Sequence, residues 1–210
     1  MIQEFFNLKL YEIDTDLCKI MNNHGSDKGS GHHNYTKLYD FIFKEIKNEV
    51  QNVFELGLGT NNLNIPSNMS GLGVPCGSLR GWREYFPNAE ISGADIDTEI
   101  LIKENRISTY YCDQTNQESI SNVFNYIGKE FDIIIEDGLH TFRANKIFFE
   151  NSIKYLKKGG FFIIEDIDIS NFNEFLKFTE EFKNKYNFID LVQIPNPLNK
   201  SDNNIILVKK

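Results

Sequence analysis

From Tyr35 onward the apolar positions Leu38, Phe41, Ile42 and Ile46 recur at spacings of three and four, the stripe of an amphipathic helix lying on a core. Upstream, residues 3–23 mix apolar and polar positions loosely at helical spacing. "HGSDKGSGHHN" at 24–34 then breaks that pattern with glycines and small polar residues and reads as a loop. Downstream, "NVFELGLGT" predicts a short buried strand ending in glycines. Residues 61–77, with glycines, two prolines and almost no periodicity, predict a long loop. Ser78 is placed to cap the next helix, "LRGWREYF". The alternation continues with "AEISGADID" as strand, "EILIKEN" as a short helix, "RISTYYCD" as strand and "QESISNVFNYIG" as helix. A strand follows in "FDIIIEDGLH", then a helix from about Phe142 to Leu156 that stops at Gly159 and Gly160, and a strand over Phe161 to Ile164. A helix over roughly Asn171 to Tyr186 leads to two last strands, "FIDLVQI" and "NNIILVKK".

Strands alternating with helices predict an α/β fold: a doubly wound, mostly parallel, Rossmann-like sheet covered on both faces. The last two strands lack an intervening helix, so the C-terminal strand is expected to be antiparallel. The expected organisation is an N-terminal helical segment and loop over 1–34 and one main domain over 35–210. In such sheets ligands collect at the carboxyl ends of strands, near the point where strand order reverses.

Composition narrows the class. With 40% hydrophobic and 25% charged residues over 210 positions, the chain resembles an ordinary folded domain. Its net charge of -8 argues against nucleic acid as a partner. Strand-length apolar runs and an acidic start, "MIQEFFNLKLYEID", argue against a membrane span or signal peptide, so a cytoplasmic protein is expected, with a homo-oligomer left open. Cys18, Cys76 and Cys112 show no CxxC spacing and read as reduced structural thiols.

The candidate chemistry sits where strands end. "FELGLG" puts Gly57 and Gly59 directly after a strand, which permits close backbone approach to a ligand but also suits a structural turn. A dinucleotide fingerprint would need a third glycine where Asn62 stands, so NAD is disfavoured. The following strand ends in Asp95, with Asp97 two residues on, placed to accept from both hydroxyls of a ribose. The strand after that ends in Asp113 and Gln114, suited to an adenine amino group. Glycine, acid and acid at successive strand ends suggest an adenosine-containing ligand.

On these residues, and on "GSDKG", "GSLRGWREYFP", "GADID", "CDQT", "FDIIIEDGLH" and "GGFFIIEDI", the chain from about Gly25 to Asp168 resembles the class I S-adenosylmethionine-dependent methyltransferases. More narrowly, it is similar to metal-dependent O-methyltransferases of macrolide sugars. It is also similar to compact methyltransferases of bacterial capsule loci, some of them tied to the O-methyl phosphoramidate decoration. The resemblance implies that Glu55, Gly57, Asp95 and Asp113 hold S-adenosylmethionine with Ser78 beside it. It further implies that Asp137, Glu165 and Asp166 bind magnesium and that His140 is the base, so that His140 and Asp137 form the catalytic pair. The family's DGSH reads Asp137, Gly138, Leu139, His140 here.

Neighbouring parallel strands lie about 4.8 Å apart, so acids at adjacent strand ends can converge on one ion. An all-oxygen set suits magnesium better than zinc. Glu165 and Asp166 would face opposite sides of a regular strand, so their joint use requires the chain to bend. The other reading is that these acids cap helices or meet solvent. His140, on a turn leading into a helix, suits proton removal from an acceptor hydroxyl, or is only a helix-start histidine. His24, His32 and His33, in a loop with Lys28 and Tyr35, either gate the site or meet an anionic substrate, or else belong to a flexible polar loop, and Arg80 and Arg83 either pair with a carboxylate or phosphate or form a solvated helix face. The resulting expectation is an O-methyltransferase for a small polar acceptor, a sugar or a phosphorylated or phosphoramidate precursor of capsule or a related glycan. The alternatives are a metal-independent small-molecule methyltransferase and a non-catalytic adenosine-ligand binding module.

Overall fold

The computed structural model describes residues 2–71 and 73–210. Met1, part of the expected N-terminal segment, and Leu72, part of the expected long loop, lie outside the described residues. Two short helices, α1 (Ile2–Asn7) and α2 (Asp16–Asn23), precede α3 (Tyr35–Phe43). The alternating part runs β1 (Asn52–Leu56), α4 (Gly77–Tyr85), β2 (Glu90–Asp95), β3 (Lys103–Glu104), β4 (Ile107–Tyr111), α5 (Gln117–Ile127), β5 (Phe131–Glu136), α6 (Phe142–Ser152), β6 (Leu156–Ile164) and α7 (Phe172–Phe182). It closes with β7 (Phe188–Gln193) and β8 (Asn204–Lys209).

The strands form one eight-stranded sheet in the order β3-β4-β2-β1-β5-β6-β8-β7. The β4-β2-β1-β5-β6 block is parallel, and β8 pairs antiparallel with both β6 and β7, as expected from the missing crossover helix. Strand order reverses between β1 and β5, so their carboxyl ends flank the crevice where ligands of such sheets bind.

Continuous apolar strands bury both faces. Val53, Ile133, Ile135 and Ile163 pack with Phe5, Leu17, Met21, Tyr39 and Trp82 on one side. Phe54, Ile134, Phe162 and Ile164 pack with Phe124, Phe148, Phe149 and Phe178 on the other. Residues of the N-terminal segment therefore share a hydrophobic cluster with α3 and α4.

Three local expectations need correction. "EILIKEN" is not a helix: Thr98–Ile100 makes one 3-10 turn, and Lys103–Glu104 becomes an edge strand paired with Ser108 and Ile107. Packing of Ile100, Leu101 and Ile102 against the core, with Glu104 drawn onto Arg80 and Arg83, overrides a seven-residue helical preference too short to nucleate alone. The helix after His140 ends at Ser152, and Gly159 and Gly160 do not stop it. They lie inside β6, where the register to β5 shifts and Gly159 takes a φ of 82°. Ser78 lies inside α4 rather than at its cap, which is Cys76, because its hydroxyl is engaged by Glu55. Among the described residues, no helix is long and apolar enough to cross a membrane.

Candidate functional site

The ladder places the strand ends side by side. Leu56, Glu136 and Ile164 are in register across β1, β5 and β6. The ladder also continues one step beyond the strands: Asp137 N–H donates to Leu56 C=O at 2.8 Å and Glu165 N–H to Glu136 C=O at 2.9 Å. Side chains alternate faces along a strand, so Glu55, Asp137 and Glu165 share the face covered by α3 and α4, while Glu136 points to the opposite one. Asp166 would follow Glu136 to that far face if β6 continued. Instead β6 stops at Ile164 and Asp166 takes a φ of 54°, which is the bend that using both acids requires.

That shared face holds a cationic centre. The ammonium of Lys28, only 2% exposed, contacts Asp137 Oδ2 and Glu165 Oε2 directly and lies 3.6 Å from Glu55 Oε1. Burial alone would lower its pKa, but Asp137, Glu165 and Glu55 outweigh it and hold Lys28 protonated. Glu165 also accepts from the Tyr39 hydroxyl at 2.6 Å, so both its oxygens are engaged. Glu55 accepts from Ser78 Oγ at 2.6 Å and from the Trp82 indole N–H. Burial pushes Glu55 and Glu165 up, with Lys28 pulling back.

Next to this network, the structure brings Asp137, His140 and Asp166 together, with one ligand atom from each within 4.8 Å of the others. His140 Nε2 lies 3.7 Å from Asp166 Oδ2, and His33 Nε2 lies 3.6 Å from Asp166 Oδ1. The Tyr35 hydroxyl donates to Asp166 Oδ1 at 2.7 Å, and its ring stacks on His33 at 4.7 Å. Among the described residues, His140 Nδ1 is buried without a partner. Two carboxylates within reach of a single ion, with an imidazole beside them, fit a hard divalent cation that keeps open positions. Glu165, spent on Lys28 and Tyr39, stands outside this group.

Lys28, His33, Asp137, His140 and Asp166 border one cavity of about 980 Å³, with Glu55, Glu165 and Tyr39 fully buried behind them. Of the expected cofactor positions, Gly57, Ser78, Asp95 and Asp113 line its other half, and the buried Glu55 does not. Gly57, at a φ of 86°, lies so close to the Asp137 carbonyl that a Cβ would collide with it. Asp95, 7% exposed, accepts from Leu58 N–H at 2.7 Å and from Asp97 N–H at 2.8 Å, so it shapes the loop after β1. Asp113 accepts from Thr115 N–H and Oγ1 and faces the cavity. Gln114 is not free to read a base edge: its amide donates to Glu136 Oε1 at 2.5 Å and its oxygen accepts from Leu139 N–H at 2.8 Å.

Several expectations for charged residues change. Lys28 is buried on carboxylates and is not available to an anionic substrate. Arg80 and Arg83 are taken by Glu104 at 2.7 and 3.0 Å, and His24 by Glu84 at 2.8 Å. The three cysteines are free and buried, and burial pushes Cys76 and Cys112 up to about 12, which removes thiolate chemistry at neutral pH. Tyr35, Tyr39 and the specific role of Lys28 were not read from the sequence as parts of the acidic centre. Their only local signal is the clustering of "GSDKG" with "NYTKLY" immediately before a buried helix face.

No protein-family model matches the chain. Among curated proteins it is 32% identical over 152 residues to 8-demethyl-8-(2-methoxy-alpha-L-rhamnosyl)-tetracenomycin-C 3'-O-methyltransferase of Streptomyces olivaceus, a match covering 72% of this chain and 37% of that protein. It is 30% identical over 155 residues to mycinamicin VI 2''-O-methyltransferase of Micromonospora griseorubida, covering 72% and 36%. The matched part is thus little more than a third of these relatives' own length. Among solved structures, the MycE methyltransferase of the mycinamycin biosynthetic pathway, in complex with Mg, SAH and mycinamycin VI, superposes with a TM-score of 0.74 at 21% identity, over 94% of this chain and 54% of that one. The same protein with Mg and SAH alone superposes at 0.73. With the parallel block reversing at β1 and β5 and these matches in sequence and fold, the chain belongs to the class I S-adenosylmethionine-dependent methyltransferase family and is related to its sugar O-methyltransferases.

Proposed function

We propose that the protein is an S-adenosylmethionine-dependent O-methyltransferase that methylates a hydroxyl of a sugar, with a divalent cation, magnesium by preference, assisting. The observation that carries this reading is the grouping of Asp137, His140 and Asp166 on the wall of the same cavity that Gly57, Asp95 and Asp113 line. The cavity wall at the ends of β1, β2 and β4 would hold S-adenosylmethionine, which would supply an electrophilic methyl group. Asp137 and Asp166 would hold the cation, whose charge would favour loss of the proton from an acceptor hydroxyl.

The chain's own residues do the rest. His140 Nε2 takes the hydroxyl proton as the acceptor oxygen gains the methyl group, leaving S-adenosylhomocysteine as the second product. Asp166 holds the resulting imidazolium. Glu55, fixed by Ser78 and Trp82, and the loop tied to Asp95 shape the cofactor half of the cavity. Glu165 keeps Lys28 and Tyr39 in place behind Asp137.

Charge supports a neutral acceptor. Among the described residues lining the cavity, Lys28 is the one lysine or arginine, and it is engaged by acids, whereas six aspartates border the space. A phosphorylated or phosphoramidate precursor would find no free lysine or arginine there and would have the cation alone to offset its charge. A neutral glycosyl acceptor, in capsule or related glycan assembly, meets no such penalty. The same reading takes 35–210 as the methyltransferase domain and 1–34 as its N-terminal segment, in a cytoplasmic protein without nucleic-acid or membrane partners. Its test is methyl transfer from S-adenosylmethionine to a panel of neutral sugars and their phosphorylated counterparts, with and without exhaustive chelation. Turnover of neutral sugars that chelation abolishes and magnesium restores is expected. Undiminished turnover after chelation would favour a metal-independent enzyme, and cofactor binding with no transfer to any acceptor would favour a binding module.

A further inference from the structure

Lys28 raises a question that the proposed reaction does not answer. It lies in the 24–34 loop, and that loop lines the cavity through Ser26, Asp27, His32 and His33. Lys28 N–H donates to Ser26 Oγ at 3.3 Å, Thr36 N–H to Lys28 C=O at 3.2 Å, and His33 N–H to Asp27 C=O at 3.1 Å, so the backbone around Lys28 is continuous with that wall. Its ammonium is a deep anchor of the loop, set among the ends of β1, β5 and β6. One of its partners, Asp137, is also a member of the Asp137–His140–Asp166 group. One carboxylate thus serves two cationic positions. Like charges brought to one carboxylate in a partly desolvated site repel strongly.

We propose that Lys28 and a divalent cation compete for Asp137, so that uptake of the cation loosens the 24–34 loop over the cavity, and anchoring of the loop weakens the cation. The coupling is reciprocal by linkage. Lys28 retains Glu165 and Glu55 when Asp137 is drawn toward the cation, which lets the loop shift without leaving its ammonium unpaired. The consequence is a wall that is tightest in the metal-free protein and yields when the site is charged, admitting the acceptor after the cation. This inference rests on the metal half of the proposed function.

Manganese titration followed by electron paramagnetic resonance, combined with backbone hydrogen exchange of residues 24–34, tests it without any assay of activity. In the wild-type protein, saturating manganese is expected to speed exchange in 24–34. Lys28→Met, which keeps the length and removes the charge, is expected to bind manganese about tenfold tighter or more, with exchange in 24–34 already fast before metal is added. Slowed or unchanged exchange in the wild type on manganese binding overturns the inference, and that measurement stands even if the variant does not fold. So does a folded variant that binds manganese no more tightly than the wild type. Manganese binding to neither protein overturns it together with the metal reading, while S-adenosylhomocysteine titration of the same samples reports on the cofactor site separately.

Discussion

His140 Nε2 lies 3.7 Å from Asp166 Oδ2, and both residues adopt a positive φ, 55° and 54°. Neither side chain would reach the other if β5 and β6 ran straight past their last residues. Backbone conformations that ordinary side chains rarely adopt are a strain that the surrounding hydrogen bonds must hold, here the Tyr35 hydroxyl on Asp166 and the α6 cap at Thr141.

This pairing sets the expected behaviour of His140→Ala. Turnover should fall about 100-fold or more while S-adenosylhomocysteine affinity is preserved, since general-base catalysis contributes roughly that much. Burial lowers the His140 pKa, but Asp166, Asp137 and Glu136 outweigh it and raise it above the ordinary histidine value. Only neutral imidazole accepts a proton, so the wild-type rate should rise with pH. Nuclear magnetic resonance titration should place the metal-free imidazole above its ordinary value and lower once magnesium is added. A variant with wild-type turnover and an unchanged pH profile would remove His140 from the base role.

Asp95→Asn should weaken S-adenosylmethionine and S-adenosylhomocysteine alike. Both Asp95 oxygens accept backbone N–H groups, from Leu58 and Asp97, and an amide must turn a donor toward one of them. The mispaired donor, together with loss of the ribose contact proposed for Asp95, should cost about 1.5 to 3 kcal/mol of binding, measured by calorimetry. Unchanged affinity would take Asp95 out of the cofactor site.

Gly57→Ala tests the closest backbone approach in the crevice. The added methyl would collide with the Asp137 carbonyl at a residue whose φ is 86°. A loss of about 2 kcal/mol or more in urea unfolding is expected, with cofactor affinity falling in the protein that remains folded. A variant of wild-type stability would mean that the β1 and β5 ends separate readily.

Glu136 gives a pH signature of its own. It is fully buried, its Oε2 has no partner among the described residues, and burial pushes its carboxyl up to about 7 from 4.5, against the pull of His140, Gly138 N–H and Gln114. The folded state therefore holds this proton more tightly than the unfolded chain does. Its contribution is fully present below the unfolded value of 4.5 and is lost as pH rises through about 7. Replacing it with glutamine, which keeps the acceptor for Gln114 and Gly138, should leave stability near wild type at pH 5 and raise it by about 1 to 3 kcal/mol at pH 8. Denaturant unfolding at the two pH values checks this, and equal stability of both proteins at pH 8 would mean that Glu136 finds a partner when ionised.

Those parts of the protein that depend on near neighbours along the chain were legible in its residue pattern. Apolar runs such as Ile133 to Ile135 and Phe161 to Ile164 specify buried strands, the stripe Leu38, Phe41, Ile42 specifies α3, and Gly57 specifies a sharp turn after β1, because period and turn chemistry act over a few residues. The acids at strand ends were legible for the same reason, and the missing crossover helix already implied the antiparallel β8. Tertiary structure alone decided what those acids face. Lys28 meets Asp137 and Glu165 across separations of 109 and 137 residues, Tyr39 meets Glu165 across 126, and the bend at Asp166 is held by Tyr35 across 131. It likewise drew "EILIKEN" into an edge strand and Gly159 into β6, since pairing and burial outweigh a local preference worth only tenths of a kcal/mol per residue. No pattern along the chain encodes such meetings, because they exist only once the register of β1, β5 and β6 has aligned their ends.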